Sequence, residues 1–218
     1  MSTRFSAAIF DLDGTLLDSM GVWVEVDERF LARRNIALPQ DYCAAIAPMG
    51  FPQAAAYTKA RFSLPESEEA IMAEWHGMAV DAYAKEILCK PHVYDYLDAL
   101  RQKGIFMAAA TASQPEFYVP ALQRLGLTPY FSSVTEVAEV SRGKGFPDIY
   151  LRAAGKLGIS PDRCVVFEDI PAGIRGARDG GFYTVGVYDA HCTDAEAVRT
   201  LCDRYITDFS ELMEKDIF

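Results

Sequence analysis

Two carboxylates stand two residues apart in Asp11-Leu12-Asp13-Gly14-Thr15. If this segment is extended, alternate side chains share a face, so Asp11 and Asp13 address one ligand while Leu12 packs away from it. Gly14 lets the backbone approach that ligand closely. The same residues also suit a plain strand-to-turn junction in which Asp13 and Gly14 only make the turn, and spacing alone leaves both readings open. A calcium loop of the EF-hand kind is excluded, because one opening at Asp11 needs glycine where Leu16 stands and glutamate where Val22 stands.

The apolar run Ala7-Ala8-Ile9-Phe10 ends abruptly on Asp11 and reads as a buried strand that delivers the acidic pair to its turn. Similar runs recur at Ile105 to Ala110, Cys164 to Phe167 and Thr184 to Val187. Helix-length segments separate them: Val93, Leu97 and Leu100 fall at i, i+4, i+7, and Tyr150, Ala154 and Leu157 repeat the spacing. Strands alternating with helices predict an α/β protein, a doubly wound Rossmann-like parallel sheet covered on both faces. From 16 to 88 the rhythm changes. Val22, Val26 and Phe30 form one helical stripe, Ile71, Trp75, Met78 and Ala82 another, and Pro48, Gly50, Pro52 and Pro65 punctuate shorter helices between them. The expected organisation is an α/β core of residues 1–15 plus 89–218, interrupted by a helical bundle over 16–88.

Further polar groups follow the apolar runs. Thr111 closes the run that ends at Ala110, and Glu168-Asp169 follow Phe167. Pro171 and Gly173 then lead into a helix with Ile174 and Ala177 on one face, which Asp169 could simply cap. In order along the chain, Phe10-Asp11-Leu12-Asp13-Gly14-Thr15-Leu16-Leu17-Asp18-Ser19, Ala110-Thr111-Ala112-Ser113, Gly143-Lys144-Gly145-Phe146-Pro147-Asp148 and Phe167-Glu168-Asp169 resemble the four motifs of the haloacid dehalogenase-like hydrolases. Most members of that family are magnesium-dependent phosphatases. The helical insert resembles the family's small bundle-type (C1) cap, as in the subgroup containing β-phosphoglucomutase and phosphoglycolate phosphatase.

The resemblance implies roles. Asp11 would be a nucleophile that forms an aspartyl-phosphate intermediate. A carboxylate approaching a phosphate monoester meets like charge, so a divalent cation must neutralise both. Asp11, the backbone carbonyl of Asp13, Glu168 and Asp169 would make an oxygen-rich set for Mg2+. The Asp13 side chain would protonate the leaving oxygen and then deprotonate the attacking water. Thr111, with Ala112, Ser113 and nearby backbone amides, would hold the phosphoryl oxygens, and Lys144 would neutralise Asp11 and the transferred group. Dehalogenases and phosphonate hydrolases of this fold lack an acid at the position of Asp13, so its presence favours an oxygen leaving group. Two departures stand out. Gly145 occupies a position where family members often have proline, and no basic residue lies between Asp41 and Thr58, where sugar-phosphate mutases of the subgroup use one to grip substrate.

Composition narrows the rest. With 31 acidic and 21 basic side chains the net charge is −10, which disfavours nucleic acid and anionic membranes as partners. The chain is 50% hydrophobic and 24% charged, the balance of an ordered globular protein. No glycine spacing makes a Walker A loop, no cysteine begins a Cys-x5-Arg phosphate loop, and His76, His92 and His191 have no zinc spacing. Five widely spaced cysteines, the absence of a signal-like segment before Asp11 and the shortness of every apolar run favour the cytoplasm. The expectation is a Mg2+-dependent phosphatase for a small phosphorylated metabolite, with a sugar phosphate among the candidates and no obligate protein partner. A phosphosugar mutase and a non-catalytic binding module on the same fold are the alternatives.

Overall fold

Strands covered by helices on both faces need apolar side chains at every position, and the central strands of this chain are built that way. The computed structural model describes residues 4–46, 49–192 and 194–218, so Pro48 lies outside the described residues. In chain order the elements are β1 (Ala7–Phe10), β2 (Leu17–Asp18), α1 (Val22–Ala32), α2 (Tyr42–Ile46), α3 (Phe51–Phe62), α4 (Glu68–Lys85), β3 (Leu88–Cys89), α5 (Val93–Gln102), β4 (Phe106–Thr111), α6 (Pro115–Arg124), β5 (Ser133–Glu136), α7 (Asp148–Leu157), β6 (Cys164–Glu168), α8 (Pro171–Asp179), β7 (Tyr183–Val187), α9 (Ala195–Leu201), β8 (Arg204–Ile206) and α10 (Ser210–Glu214).

Six strands form one sheet in the order β5-β4-β1-β6-β7-β8, with every neighbouring pair parallel. The chain winds outward from β1 through β4 and β5, then crosses back to β6 and winds outward the other way. That reversal at β1 is the topological switch point, where open α/β sheets bind ligands beyond the carboxyl ends of their strands. Phe10 is level with Ala109 on β4 and Phe167 on β6, so Asp11 emerges beside Ala110 and Glu168. On one face, Ile9 and Val166 join the apolar cluster formed with Ile149, Tyr150, Ala153 and Ala177. Phe10 stacks on Phe167 with ring centroids 4.4 Å apart, and Phe167 meets Tyr96 and Phe209.

Chain contacts divide the molecule into two units, Met1–Met20 with Ile87–Phe218, and Gly21–Glu86. These limits fall inside the span of 16–88 drawn from helical patterning, because β2 pairs antiparallel with β3 through Leu17 with Cys89 and Asp18 with Leu88. The second unit is helical. Val22, Val26 and Phe30 of α1 are buried, as are Ile71, Trp75, Met78 and Ala82 of α4, and the Phe30 and Trp75 rings meet edge-on at 5.4 Å. Ser67 caps α4 by accepting the Ala70 amide at 3.2 Å, and Pro52 occupies the first turn of α3, where no amide donor is needed. Among the described residues, no helix is long and apolar enough to cross a membrane.

Asp27 departs from this pattern, since it is buried on α1 and burial pushes its carboxyl up from the usual 3.8 to about 7. The unfolded chain therefore gives up this proton at lower pH than the folded one, and the carboxyl erodes stability as pH rises from about 4 to about 7. Asp27→Asn should remove that slope. Its thermal midpoint relative to wild type should climb across this window in scanning calorimetry, whereas a constant difference would mean that Asp27 ionises as freely in the folded protein as in the unfolded chain.

Candidate active site

The polar residues expected to act together arrive at the sheet edge from four separate stretches. Asp11 directly follows β1, Thr111 is the last residue of β4, Glu168 is the last of β6 with Asp169 next, and Lys144 lies in the loop before α7. Asp11, Asp13, Ala112, Ser113, Lys144 and Asp169, with Met20 and Ile170, line one cavity of about 150 Å³.

After Asp11 the chain folds back tightly. The amides of Leu16 and Leu17 both donate to the carbonyl of Leu12, at 2.9 and 2.8 Å, and the Gly14 amide donates to the carbonyl of Leu17 at 2.9 Å. Gly14 sits at φ +80°, where a side chain is strained, and a Cβ there would collide with the Asp169 carboxylate. The close approach that glycine permits is thus toward Asp169. The turn reading and the site reading hold together: Asp13 stands in the turn with Oδ1 accepting the Ser19 hydroxyl at 2.6 Å, and Thr15 donates to Asp169 Oδ1 at 3.3 Å. Asp169 does not cap α8, whose N-cap is Ile170.

Lys144 is buried, with its ammonium in contact with Asp11 Oδ1 and 2.6 Å from Glu168 Oε1. The Tyr150 hydroxyl donates to the same Glu168 oxygen at 2.8 Å. The loop that carries Lys144 and Gly145 is held by local bonds and by helix packing. The Phe146 amide donates to the Gly143 carbonyl at 3.0 Å, and the Arg142 guanidinium forks onto Asp148 at 3.1 and 2.6 Å. On α8, a Cβ at Gly176 would collide with the Lys144 carbonyl oxygen, so the helix packs directly on the loop backbone. Thr111 Oγ1 accepts the Ser113 amide at 2.9 Å, which ties the 111–113 loop together and leaves the Ala112 amide and the Ser113 hydroxyl as donors.

Asp11, Glu168 and Asp169 each offer an oxygen within 4.8 Å of the others. Burial raises the Asp11 carboxyl well above its usual range; Lys144 opposes this while Glu168 and Asp169 add to it. Burial followed by the charge of Glu168 lifts Asp169 to about 7. Burial works against the Lys144 ammonium, but Asp11 and Glu168 outweigh it and hold the lysine above its ordinary value. Burial, reinforced by Glu168, likewise raises the Tyr150 phenol, so it remains a donor. The carboxylates of Asp11, Glu168 and Asp169, with Asp13 beside them, outnumber the one ammonium, so the ionised cluster carries negative charge that Lys144 alone does not cancel. The donors are all oxygen, and Glu168 Oε2 is buried without a hydrogen-bond partner. The residues therefore fit a hard divalent cation such as Mg2+.

Strand-end patterning singled out Asp11, Asp13, Thr111, Glu168 and Asp169, and the resemblance to known motifs added Ala112, Ser113 and Lys144. Patterning placed Tyr150 only as one position in an apolar stripe, and gave Ser19 and Gly176 no function. The alternating pattern of α7 cannot show that a hydroxyl on it reaches a carboxylate from another strand. Lys144→Met should leave the carboxylates opposed without their cation, and losing one member of a buried pair costs about 3–5 kcal/mol. Protonation relieves that opposition, so urea unfolding in chelator should show a larger loss at about pH 8 than at about pH 5.5. An equal loss at both would contradict this electrostatic description.

The family model described as haloacid dehalogenase-like hydrolase matches residues 5–181. A hexitol phosphatase of Escherichia coli (strain K12) is 33% identical, with the alignment covering 84% of this chain and 83% of that protein. A fructose-1-phosphate phosphatase of the same organism is 30% identical over 86% of this chain and 98% of its own length. Among solved structures, a proposed β-phosphoglucomutase of Thermotoga maritima superposes with a TM-score of 0.87 at 24% identity, covering 96% of this chain and 97% of that one, a likeness of fold.

Proposed function

The chain belongs to the haloacid dehalogenase-like hydrolase family, and we propose that it is a Mg2+-dependent phosphatase that hydrolyses a small phosphorylated metabolite, a sugar or polyol phosphate, through an aspartyl-phosphate on Asp11. The observation that carries this reading is the contact of Lys144 with Asp11 in a cavity shared with Asp13 and Asp169. Burial raises the Asp11 carboxyl and Lys144 opposes it, favouring the ionised form that a nucleophile needs. Asp13, two residues on and steadied by Ser19, protonates the leaving oxygen and later takes a proton from water. The Ala112 amide and Ser113 hydroxyl donate to phosphoryl oxygens, with Thr111 fixing their loop. Mg2+ held by Asp11, Asp169, Glu168 and the Asp13 carbonyl would supply the positive charge that lets a carboxylate approach a phosphate. The helical unit, Gly21–Glu86, serves as the cap.

The names of the aligned relatives support a hexitol or sugar phosphate as substrate. The absence of a basic residue between Asp41 and Thr58 supports water, rather than a second hydroxyl, as the final phosphoryl acceptor. Phosphate release should be measured over sugar phosphates, polyol phosphates, phosphoglycolate and nucleotides, with Mg2+ and with chelator. Release that requires Mg2+ is expected, and Asp11→Asn should lower it by about three orders of magnitude or more. A near-normal rate for Asp11→Asn would mean that another group attacks. Isomer exchange without net phosphate would instead identify a mutase, and inactivity across the panel a binding module.

A further inference from the structure

Tyr150 is a buried polar side chain with no part in the chemistry above. It lies on α7 inside the apolar cluster, with no exposed surface, yet its hydroxyl reaches Glu168 Oε1 at 2.8 Å. The same oxygen receives the Lys144 ammonium at 2.6 Å, while Oε2 is buried and has no hydrogen-bond partner. Gly173 on α8 sets the opposite limit, because a Cβ there would collide with the Glu168 carboxyl group. A carboxylate held by the lysine alone has two chemically equivalent oxygens, and rotation of the group exchanges them. A second donor on the same oxygen removes that equivalence, and the phenol is well suited to the task because it stays protonated and rigid.

We propose that Tyr150 is a positioning residue for the active centre: together with the room left at Gly173, its hydroxyl holds Glu168 in one orientation, with Oε1 committed to Lys144 and Oε2 reserved for the divalent cation and its hydration shell. This assignment rests on the phosphatase reading, since it gives Oε2 to a metal. It also explains why a hydroxyl is buried at a position where phenylalanine would fill the same apolar space. Groups that orient metal ligands from outside the coordination shell change metal affinity by about 10–100-fold when removed.

The test is calorimetric titration of Mg2+ into substrate-free protein, with the thermal midpoint in chelator recorded in parallel. Tyr150→Phe is expected to bind Mg2+ about tenfold more weakly than wild type, and phosphatase activity should require correspondingly more Mg2+. Gly173→Ala displaces the carboxylate without removing a donor; it should produce the same loss of affinity and carries the test if Tyr150→Phe does not fold. A lower midpoint for Tyr150→Phe with wild-type Mg2+ affinity would reduce Tyr150 to a packing role and overturn the proposal. If wild type itself bound no Mg2+, the phosphatase reading would fall first, a result distinct from equal binding by wild type and variant.

Discussion

The ammonium of Lys144, shared between Asp11 and Glu168, is the interaction on which the rest of this molecule's site depends. The Lys144 ammonium stands among the buried carboxylates of Asp11, Glu168 and Asp169, with Asp13 in the same cavity. Charge withdrawn from water must be paired or neutralised. Lys144 cancels part of the excess, protons on Asp11 or Asp169 can cancel more, and a divalent cation can cancel the remainder. Burial first, and the neighbouring carboxylates after it, raise the carboxyls of Asp11 and Asp169. The excess of carboxylates suits the site to a cation, and the ionised form of Asp11 depends on Lys144.

The fold meets this constraint through sheet topology and missing side chains. Reversal of strand order at β1 brings the ends of β4 and β6 to either side of Asp11. Fine placement then comes from positions without a Cβ: Gly14 makes room for the Asp169 carboxylate, Gly173 for that of Glu168, and Gly176 for the carbonyl of Lys144. Helix α8 carries two of these positions one turn apart, so a single rigid element sets both the carboxylate and the lysine loop.

What was legible in the sequence follows from burial. Strands β1, β4, β6 and β7 are nearly all interior and show as apolar runs, and the acidic pair at 11 and 13 stands out against the first of them. Strands β5 and β8 lie at the sheet edges. Ser133-Val134-Thr135-Glu136 is short and mostly half-buried, and an edge position needs no continuous apolar run, so patterning passed over it. Tyr150 was hidden for the opposite reason, because its ring belongs to the core stripe and only its oxygen belongs to the site. Glycines 173 and 176 were equally opaque, since their purpose lies in carboxylate and carbonyl atoms brought near by tertiary folding.

In the proposed site, Asp11, Lys144 and Asp169 hold one cation and one phosphoryl group together. A crystal structure grown with Mg2+ and beryllofluoride, a mimic of a phosphorylated carboxylate, measures this most directly. The account predicts beryllium bonded to an Asp11 oxygen, Lys144 against its fluorides, and a single Mg2+ ligated by Asp11 and Asp169. Beryllofluoride bound to another residue, or Mg2+ ordered away from these carboxylates, would contradict it.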